Sequence, residues 1–430
     1  IHGHSFWKGA TIFPTQLALA CSWNPDLLQQ VGRVTAVEAI PTGIHWTFSP
    51  VLCLTRDLRW GRTGETFGED PYLIGELGAA LIRGYQGNGL GDPQAILATA
   101  KHYAGYSETQ GGRDASEADI SRRKLRSYFL PPFERAAQAG AMTFMTGYQS
   151  MEGVPSTANR WLLTDVLKDE WGFKGVLVTD WDNVGRLVKE QKVCADYVEA
   201  AVVAVRAGND IMMTTPEFYE GAIEAVRTGR LAESEIDAPC GRFLALKFRM
   251  GLFENPRRPN LAKAAVEIGR ADHRAANLEA ARRVIEATGH RAIVARAPEG
   301  GNLCCGRTYL SAGMPDQAKA QARRLVEALA PMIDRGIPLV GLEPSCLFTL
   351  QDEFTGLLPG DDRAARLATL AVPFERFAAK ALREREVRWG PGAAKDYRVH
   401  GHCHQKAFDT FEDTLAALRA IPGATVTARS

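Results

Sequence analysis

From the start of the chain to Phe253, short apolar runs alternate with segments whose apolar positions recur every third or fourth residue. The runs His45–Phe48, Ile96–Ala100, Met142–Thr146, Val176–Thr179 and Asp210–Met213 predict buried strands. Between and after them, Pro71–Tyr85, Ser121–Ala139, Asn159–Glu170, Tyr197–Ala207 and Glu217–Thr228 carry helical spacing. This repetition predicts an α/β fold, a parallel sheet with helices outside it, as either a barrel or a doubly wound sheet. Gly251-Leu252-Phe253-Glu254-Asn255-Pro256 closes the region. Leu261–Gly269 and His273–Thr288 then predict two more helices, with Gly289 as the C-terminal cap of the second.

Length and charge narrow the classes of partner. At 430 residues the chain is long enough for two or three domains. Its 51 basic and 50 acidic side chains nearly cancel, without the basic excess that nucleic acid or an anionic membrane calls for. No apolar stretch approaches the ~18–20 residues of a membrane span. The chain opens at Ile1-His2-Gly3-His4 without an initiator Met, so a leader is left open, and with it a cytoplasmic or periplasmic location for a soluble protein.

Asp180 ends the apolar run Gly175-Val176-Leu177-Val178-Thr179-Asp180-Trp181. An acid and an indole at the end of a parallel strand fall on the face where α/β barrels build active sites, although such an Asp is also a common helix cap or turn former. Other motifs precede and surround it. They are Thr55-Arg56-Asp57-Leu58-Arg59-Trp60-Gly61-Arg62, Glu65-Thr66-Phe67-Gly68-Glu69-Asp70-Pro71-Tyr72, Lys101-His102-Tyr103, Asn159-Arg160-Trp161-Leu162-Leu163-Thr164-Asp165 and Glu170-Trp171-Gly172-Phe173-Lys174-Gly175. In this order they closely resemble the N-terminal barrel of glycoside hydrolase family 3, the β-glucosidase and β-xylosidase group, from Ile1 to about Arg283.

The resemblance implies a (β/α)8-type barrel over residues 1–260 that lacks its opening strand or strands, followed by a helical connector over 261–288. It implies a retaining, exo-acting β-glycosidase with no cofactor, acting on a β-linked glucoside or xyloside. Asp180 matches the nucleophile, one of the two carboxyl groups that such chemistry needs. Arg62, Lys101, His102 and Arg186 match positions that hold sugar hydroxyls. Tyr148 matches a subsite residue, and Trp181 an apolar wall against the sugar. A nucleophile must stay ionised, and the three permanent cations would supply a favourable field. The family's general acid/base comes from a domain that follows the barrel. Glu65, Glu152 and Asp182 are formal substitutes for it, with nothing in their sequence setting to support them. Arg59 and Arg62 could instead pair with Glu65, Glu69 or Asp70, and Gly111-Gly112-Arg113-Asp114 reads equally as a loop beside the sugar or as a tight turn.

The last third differs. Cys21, Cys53, Cys194 and Cys240 are scattered singly and read as small buried hydrophobes, whereas Cys304, Cys305, Cys346 and Cys403 lie close to Gly, Pro and His. Asn302-Leu303-Cys304-Cys305-Gly306-Arg307, Gly341-Leu342-Glu343-Pro344-Ser345-Cys346 and His400-Gly401-His402-Cys403-His404 resemble the cysteine-rich CCG domain of iron–sulfur subunits of FAD-linked oxidases. This implies a smaller, truncated α/β domain over 289–430, joined near Asn277–Arg283, with those cysteines as possible iron–sulfur ligands. Three readings stay open: a glycosidase impaired by loss of its acid/base domain, a fragment of a redox subunit, and an inactive fusion of two gene fragments.

Overall fold

The computed structural model describes residues 2–286, 290–293, 295, 297, 303–341, 344–384, 396–400, 411–421 and 423–429. The chain divides into two compact units, Ile1–Ala287 and Thr288–Ser430. Gly289, His402, Cys403 and His404 lie outside the described residues.

In the first unit the strands are β1 (Thr99–Tyr103), β2 (Thr143–Thr146), a hairpin of β3 (Ser150–Met151) and β4 (Val154–Pro155), and β5 (Val176–Val178). β1, β2 and β5 form one parallel sheet in that order, with Thr99 opposite Thr143 and Thr143 opposite Val176. Parallel bridges extend it on both sides, Trp46 to Leu97 and Val51 to Lys101 at one edge, Val178 to Ile211 at the other. The five predicted runs therefore lie side by side in chain order. The first and last form bridges rather than ladders. Pro50 has no N–H to give to a ladder, and at the other edge the Asp210 side chain accepts the Leu177 N–H at 2.8 Å.

The helices outside the sheet follow local chemistry. Pro71–Gln86 starts with proline in its first turn and an Asp70 cap that accepts the Leu73 N–H at 2.7 Å. Tyr197–Ala207 is capped by Asp196 and stops at Gly208 in the left-handed region. The predicted helix over 121–139 is broken into Arg122–Lys124, a π turn at Leu125–Phe129, and Pro131–Gln138. Pro131 and Pro132 remove two N–H donors there, so an uninterrupted ladder cannot form. Trp161–Glu170 is likewise wound with i→i+5 bonds.

Four helices of the first unit come in addition to those predicted: Gln16–Ala20, Pro25–Ala39, Asn183–Lys189 and Glu233–Arg249. Pro25–Ala39 crosses Pro71–Gln86 at Gly32 and Gly84, and a Cβ on Gly84 would stand 2.2 Å from the Gln29 carbonyl oxygen. Leu28, Ile74, Leu77, Leu81, Phe144 and Leu177 are fully buried in the core this contact helps to close.

Helices Leu261–Glu267 and Ala271–Glu286 pack within the first unit. The anchor is Glu38, whose carboxylate accepts from Thr11 N and Oγ1 at 2.7 Å each, from Gly269 N at 2.9 Å and from His273 Nδ1 at 2.8 Å.

The second unit is also mixed α/β. β6 (Leu339–Gly341) pairs in parallel with β7 (Ala371–Pro373), and β8 (Asp396–His400) with β9 (Thr425–Arg429). Its core is built from Val326, Leu329 and Ile333 of the helix Pro315–Asp334, packed with Leu347, Phe354 and Leu367. Among the described residues, no helix is long and apolar enough to cross a membrane.

Candidate functional site

The parallel strands deliver their following residues to one end of the sheet, the end favoured for chemistry in such folds. Asp180 comes two residues after β5, Lys101 and His102 lie in β1, and Tyr148 comes two residues after β2. Asp180 is 9% exposed. Its Oδ1 accepts the Tyr148 hydroxyl at 2.9 Å and the Trp181 N–H at 2.7 Å, and its Oδ2 stands 3.3 Å from His102 Nε2. These bonds fix the carboxylate on both sides.

His102 is fully buried, and burial, Lys101 and Arg62 together push its pKa well below the ordinary 6.5. The ring is therefore neutral. Its Nε2 also lies 3.2 Å from Arg62 Nη2. A guanidinium can only donate and a carboxylate can only accept, so a neutral ring satisfies one of them at a time, and its tautomer selects which. Beneath the ring sits Cys53, whose Sγ is 3.8 Å from Nδ1 and accepts the His102 backbone N–H at 3.4 Å. Burial raises the Cys53 thiol to about 12, which keeps it protonated.

The buried neutral histidine has a consequence for stability. Below pH 6.5 the unfolded chain takes up a proton at this residue that the folded chain refuses. Stability contributed by a histidine with a depressed pKa is present above 6.5 and lost as pH falls, at about 1.4 kcal/mol per pH unit. Denaturant titrations between pH 7 and pH 5 should show a shallower acid loss for His102→Asn, by the equivalent of one proton. An unchanged slope would exclude a buried neutral His102.

Arg62 makes a bidentate pair with Glu65, at 2.9 Å for both contacts, and its guanidinium lies 5.5 Å from the Tyr106 ring centre. Burial is the largest single influence and opposes its charge, but the hydrogen bonds and charges of Glu65 and Tyr106 together outweigh it and raise the pKa. Lys101 is half-buried, and its ammonium makes no hydrogen bond or ion pair among the described residues. Burial and neighbouring Arg62 push its pKa down, while Asp180 and Glu65 pull it back up. A desolvated cation without a fixed partner is available to a ligand's oxygen atoms. Arg186 lies with its guanidinium 4.5 Å from the Tyr148 ring centre and pairs with Glu190 at 2.6 Å. Burial and the Asp180 charge push the Tyr148 phenol well up, so it stays a donor. Trp181 is 61% exposed, an open indole next to Asp180.

The structure thus gathers Arg62, Lys101, His102, Tyr148, Trp181 and Arg186 around Asp180. Three further residues belong to the same cluster without having been read as site residues. Cys53 lies under His102, Tyr106 stands edge-on to His102 with centroids 4.8 Å apart, and Asn183 donates to Gly147 O at 3.0 Å behind the strand ends. Of these only Tyr106 had a sequence signal, an aromatic four residues past the Lys-His pair.

The alternative pairings resolve individually. Arg59 bonds Asp57 at 2.8 Å and Asp70 serves as a helix cap, both structural, whereas Arg62 joins its Glu65 pair to the site. Of the formal acid/base substitutes, Glu65 is held by Arg62, Asp182 is held by Lys189 at 3.1 Å and by Thr215 at 3.0 Å, and Glu152 is exposed between β3 and β4.

Cys53 and Cys194 are buried as expected, but Cys21, just past the end of the helix Gln16–Ala20, and Cys240, within Glu233–Arg249, are exposed. In the second unit Cys304 and Cys305 precede the helix Arg307–Ser311, and Cys346 lies in the first turn of Pro344–Gln351, a helix that touches it. Among the described residues no three His, Cys, Asp or Glu side chains converge in a metal-binding group.

A buried carboxylate at a strand end, with cations and an open indole around it, lies at the end of the sheet where α/β barrels build active sites. The chain is a member of glycosyl hydrolase family 3, and residues 1–246 match the family's N-terminal domain. It is 37% identical over 246 residues to a periplasmic β-glucosidase of Salmonella typhimurium, covering 57% of this chain and 32% of that protein. A β-xylosidase of Formosa agariphila is 36% identical over 292 residues, covering 65% of this chain and 40% of that protein. Among solved structures, a β-glucosidase involved in saponin metabolism from intestinal bacteria is 62% identical, with a TM-score of 0.65, covering 66% of this chain and 38% of that one. The chain therefore spans well under half the length of these relatives.

Proposed function

We propose that the first unit carries the nucleophile half of a retaining β-glycosidase, with Asp180 attacking the anomeric carbon to form a covalent glycosyl-enzyme. The observation that carries this reading is the placement of Asp180. Its carboxylate is hydrogen-bonded by Tyr148 and Trp181 N, stands against His102 and sits within the field of Lys101. Ordered donors of this kind cost nothing to reorganise when the carboxylate attacks. Arg62, Lys101, His102 and Arg186 hold sugar hydroxyls, and the Trp181 indole covers an apolar sugar face. The substrates are β-glucosides or β-xylosides. Similarity to a β-glucosidase involved in saponin metabolism favours glucosides over xylosides.

Of the three formal acid/base substitutes, Glu65 and Asp182 are engaged by cations and Glu152 is exposed in the turn between β3 and β4. Acid assistance is typically worth about 10²–10⁴-fold, so this chain depends on leaving groups that depart as anions. Rates should fall steeply from dinitrophenyl to methyl β-glucosides. The direct test is 2-deoxy-2-fluoro-β-D-glucosyl fluoride, whose fluoride needs no proton. One fluoroglucosyl adduct is expected on the peptide Gly175–Arg186. An adduct on another carboxylate would overturn the assignment of Asp180, and rapid cellobiose hydrolysis would show that an acid is present.

A further inference from the structure

The loop Gly111–Asp114 is a sequence motif beside the Asp180 site that the proposed chemistry leaves without a role. It closes against the segment that carries Arg62. Gly112 adopts φ +70°, and a Cβ there would stand 2.6 Å from the Arg59 carbonyl carbon and 2.7 Å from Trp60 N, so only glycine permits the approach. Ala115, just past the loop, has φ +62° without being glycine, a conformation that persists only where surrounding contacts impose it.

The contact in question runs from Asp114 to Tyr106, whose hydroxyl donates to Asp114 Oδ1. Tyr106 is fully buried and packs against three other rings. Its ring stands edge-on to His102 at 4.8 Å, to Trp60 at 5.3 Å and to Tyr148 at 5.7 Å between centroids. Its oxygen also accepts from Arg62 Nη1 at 3.4 Å. His102 and Tyr148 are in turn two of the groups that hold the Asp180 carboxylate.

We propose that Asp114 is a positioning residue for the Asp180 site: its carboxylate anchors the Tyr106 hydroxyl, and through the Tyr106 ring it holds His102, Tyr148 and Arg62 in the arrangement that binds and attacks the sugar. This inference rests on the glycosidase reading for its kinetic consequence, but the anchoring itself does not. Asp114 is exposed at the rim, so its removal leaves the core intact. The chemistry of the anchor suits the task. Burial and the Asp114 carboxylate both keep the phenol protonated, so it can serve one acceptor permanently while taking a hydrogen bond from Arg62. With Asp114 gone, the phenol loses its charged acceptor and the ring is free to tilt, which shifts its edge contacts with the two residues that contact Asp180.

A double-mutant cycle on the full chain tests this. The readouts are the second-order rate of labelling by 2-deoxy-2-fluoro-β-D-glucosyl fluoride and the ring resonances of His102 in selectively labelled protein. Asp114→Ala should slow labelling about tenfold, as expected for the loss of one charge-assisted hydrogen bond. It should also move the His102 resonances while leaving the melting temperature within a few degrees. In a Tyr106→Phe background the same substitution should change labelling less than about twofold, because a residue acting through another shows no separate effect. Asp114→Asn, which still accepts a hydrogen bond, should recover part of the rate. Equal effects of Asp114→Ala in both backgrounds would overturn the proposal, as would unmoved His102 resonances in the single variant. If the parent chain is not labelled at all, the glycosidase reading fails while the resonance arm still decides whether Asp114 positions His102.

Discussion

Asp180→Gly should reduce turnover of 2,4-dinitrophenyl β-glucoside on the order of 10⁴-fold, ~5.5 kcal/mol of lost transition-state stabilisation, with little change in the melting temperature. The size follows from the role. Tyr148, Trp181 N and His102 surround the carboxylate without being able to replace it, since two of them donate hydrogen bonds to it, the third is a neutral ring held against it, and none is an anion. Removing the side chain leaves a gap beside those donors that a small anion can enter. Sodium azide should therefore restore turnover, and the product identifies the geometry. Azide entering from the Asp180 side forms the C1–N bond on the face opposite the departing dinitrophenolate, which leaves with its electron pair. The product is the α-glucosyl azide, whereas a β-azide would mean that an intact nucleophile elsewhere had acted first. Wild-type rates in the glycine variant would sink the assignment outright.

The parts of this molecule that could be read from sequence are those fixed by near neighbours. Val176–Val178 follows directly from an unbroken apolar run, and Tyr197–Ala207 from periodic apolar positions between Asp196 and Gly208. Asp180, Lys101 and His102 were accessible because a strand end carries its chemistry along with it. The helix Pro25–Ala39 had its start signals in plain view, Asn24 as cap and Pro25 in the first turn, but no predicted strand adjoined it. Glu233–Arg249 was hidden for another reason: Pro239 and Gly241 lie inside it, and both ordinarily interrupt helices. Tertiary packing overrode local preference there, with Leu246 and Met250 buried against Leu97 and Val176. The Tyr106–Asp114 anchor and the Cys53–His102 contact depend on which loops the fold brings together, and the spacing of residues along the chain does not encode that.

Glu38 is the extreme case of such long-range dependence, and its replacement should produce the largest loss of stability. The carboxylate side chain is fully buried, and its four donors come from Thr11, Gly269 and His273, the last 235 residues away. Glu38→Leu keeps the volume but leaves the Thr11 N–H and hydroxyl, the Gly269 N–H and the His273 ring N–H facing an apolar side chain. Breaking a buried, fully hydrogen-bonded ionic group costs about 3–5 kcal/mol, a large share of the ~5–15 kcal/mol that holds a domain together. Glu38→Gln should cost less, since the amide oxygen still accepts, but its NH₂ group must then face one of the donors. For a unit of this size the leucine variant should melt about 10 °C lower, with the glutamine variant between it and the parent. Because Gly269 and His273 sit at the entry to the helix Ala271–Glu286, hydrogen exchange should show that helix opening first in both variants. Should Glu38→Leu melt with the parent and keep that helix protected, the four bonds contribute nothing net, and the helix is held by Ala276 and Ala280 in the core instead.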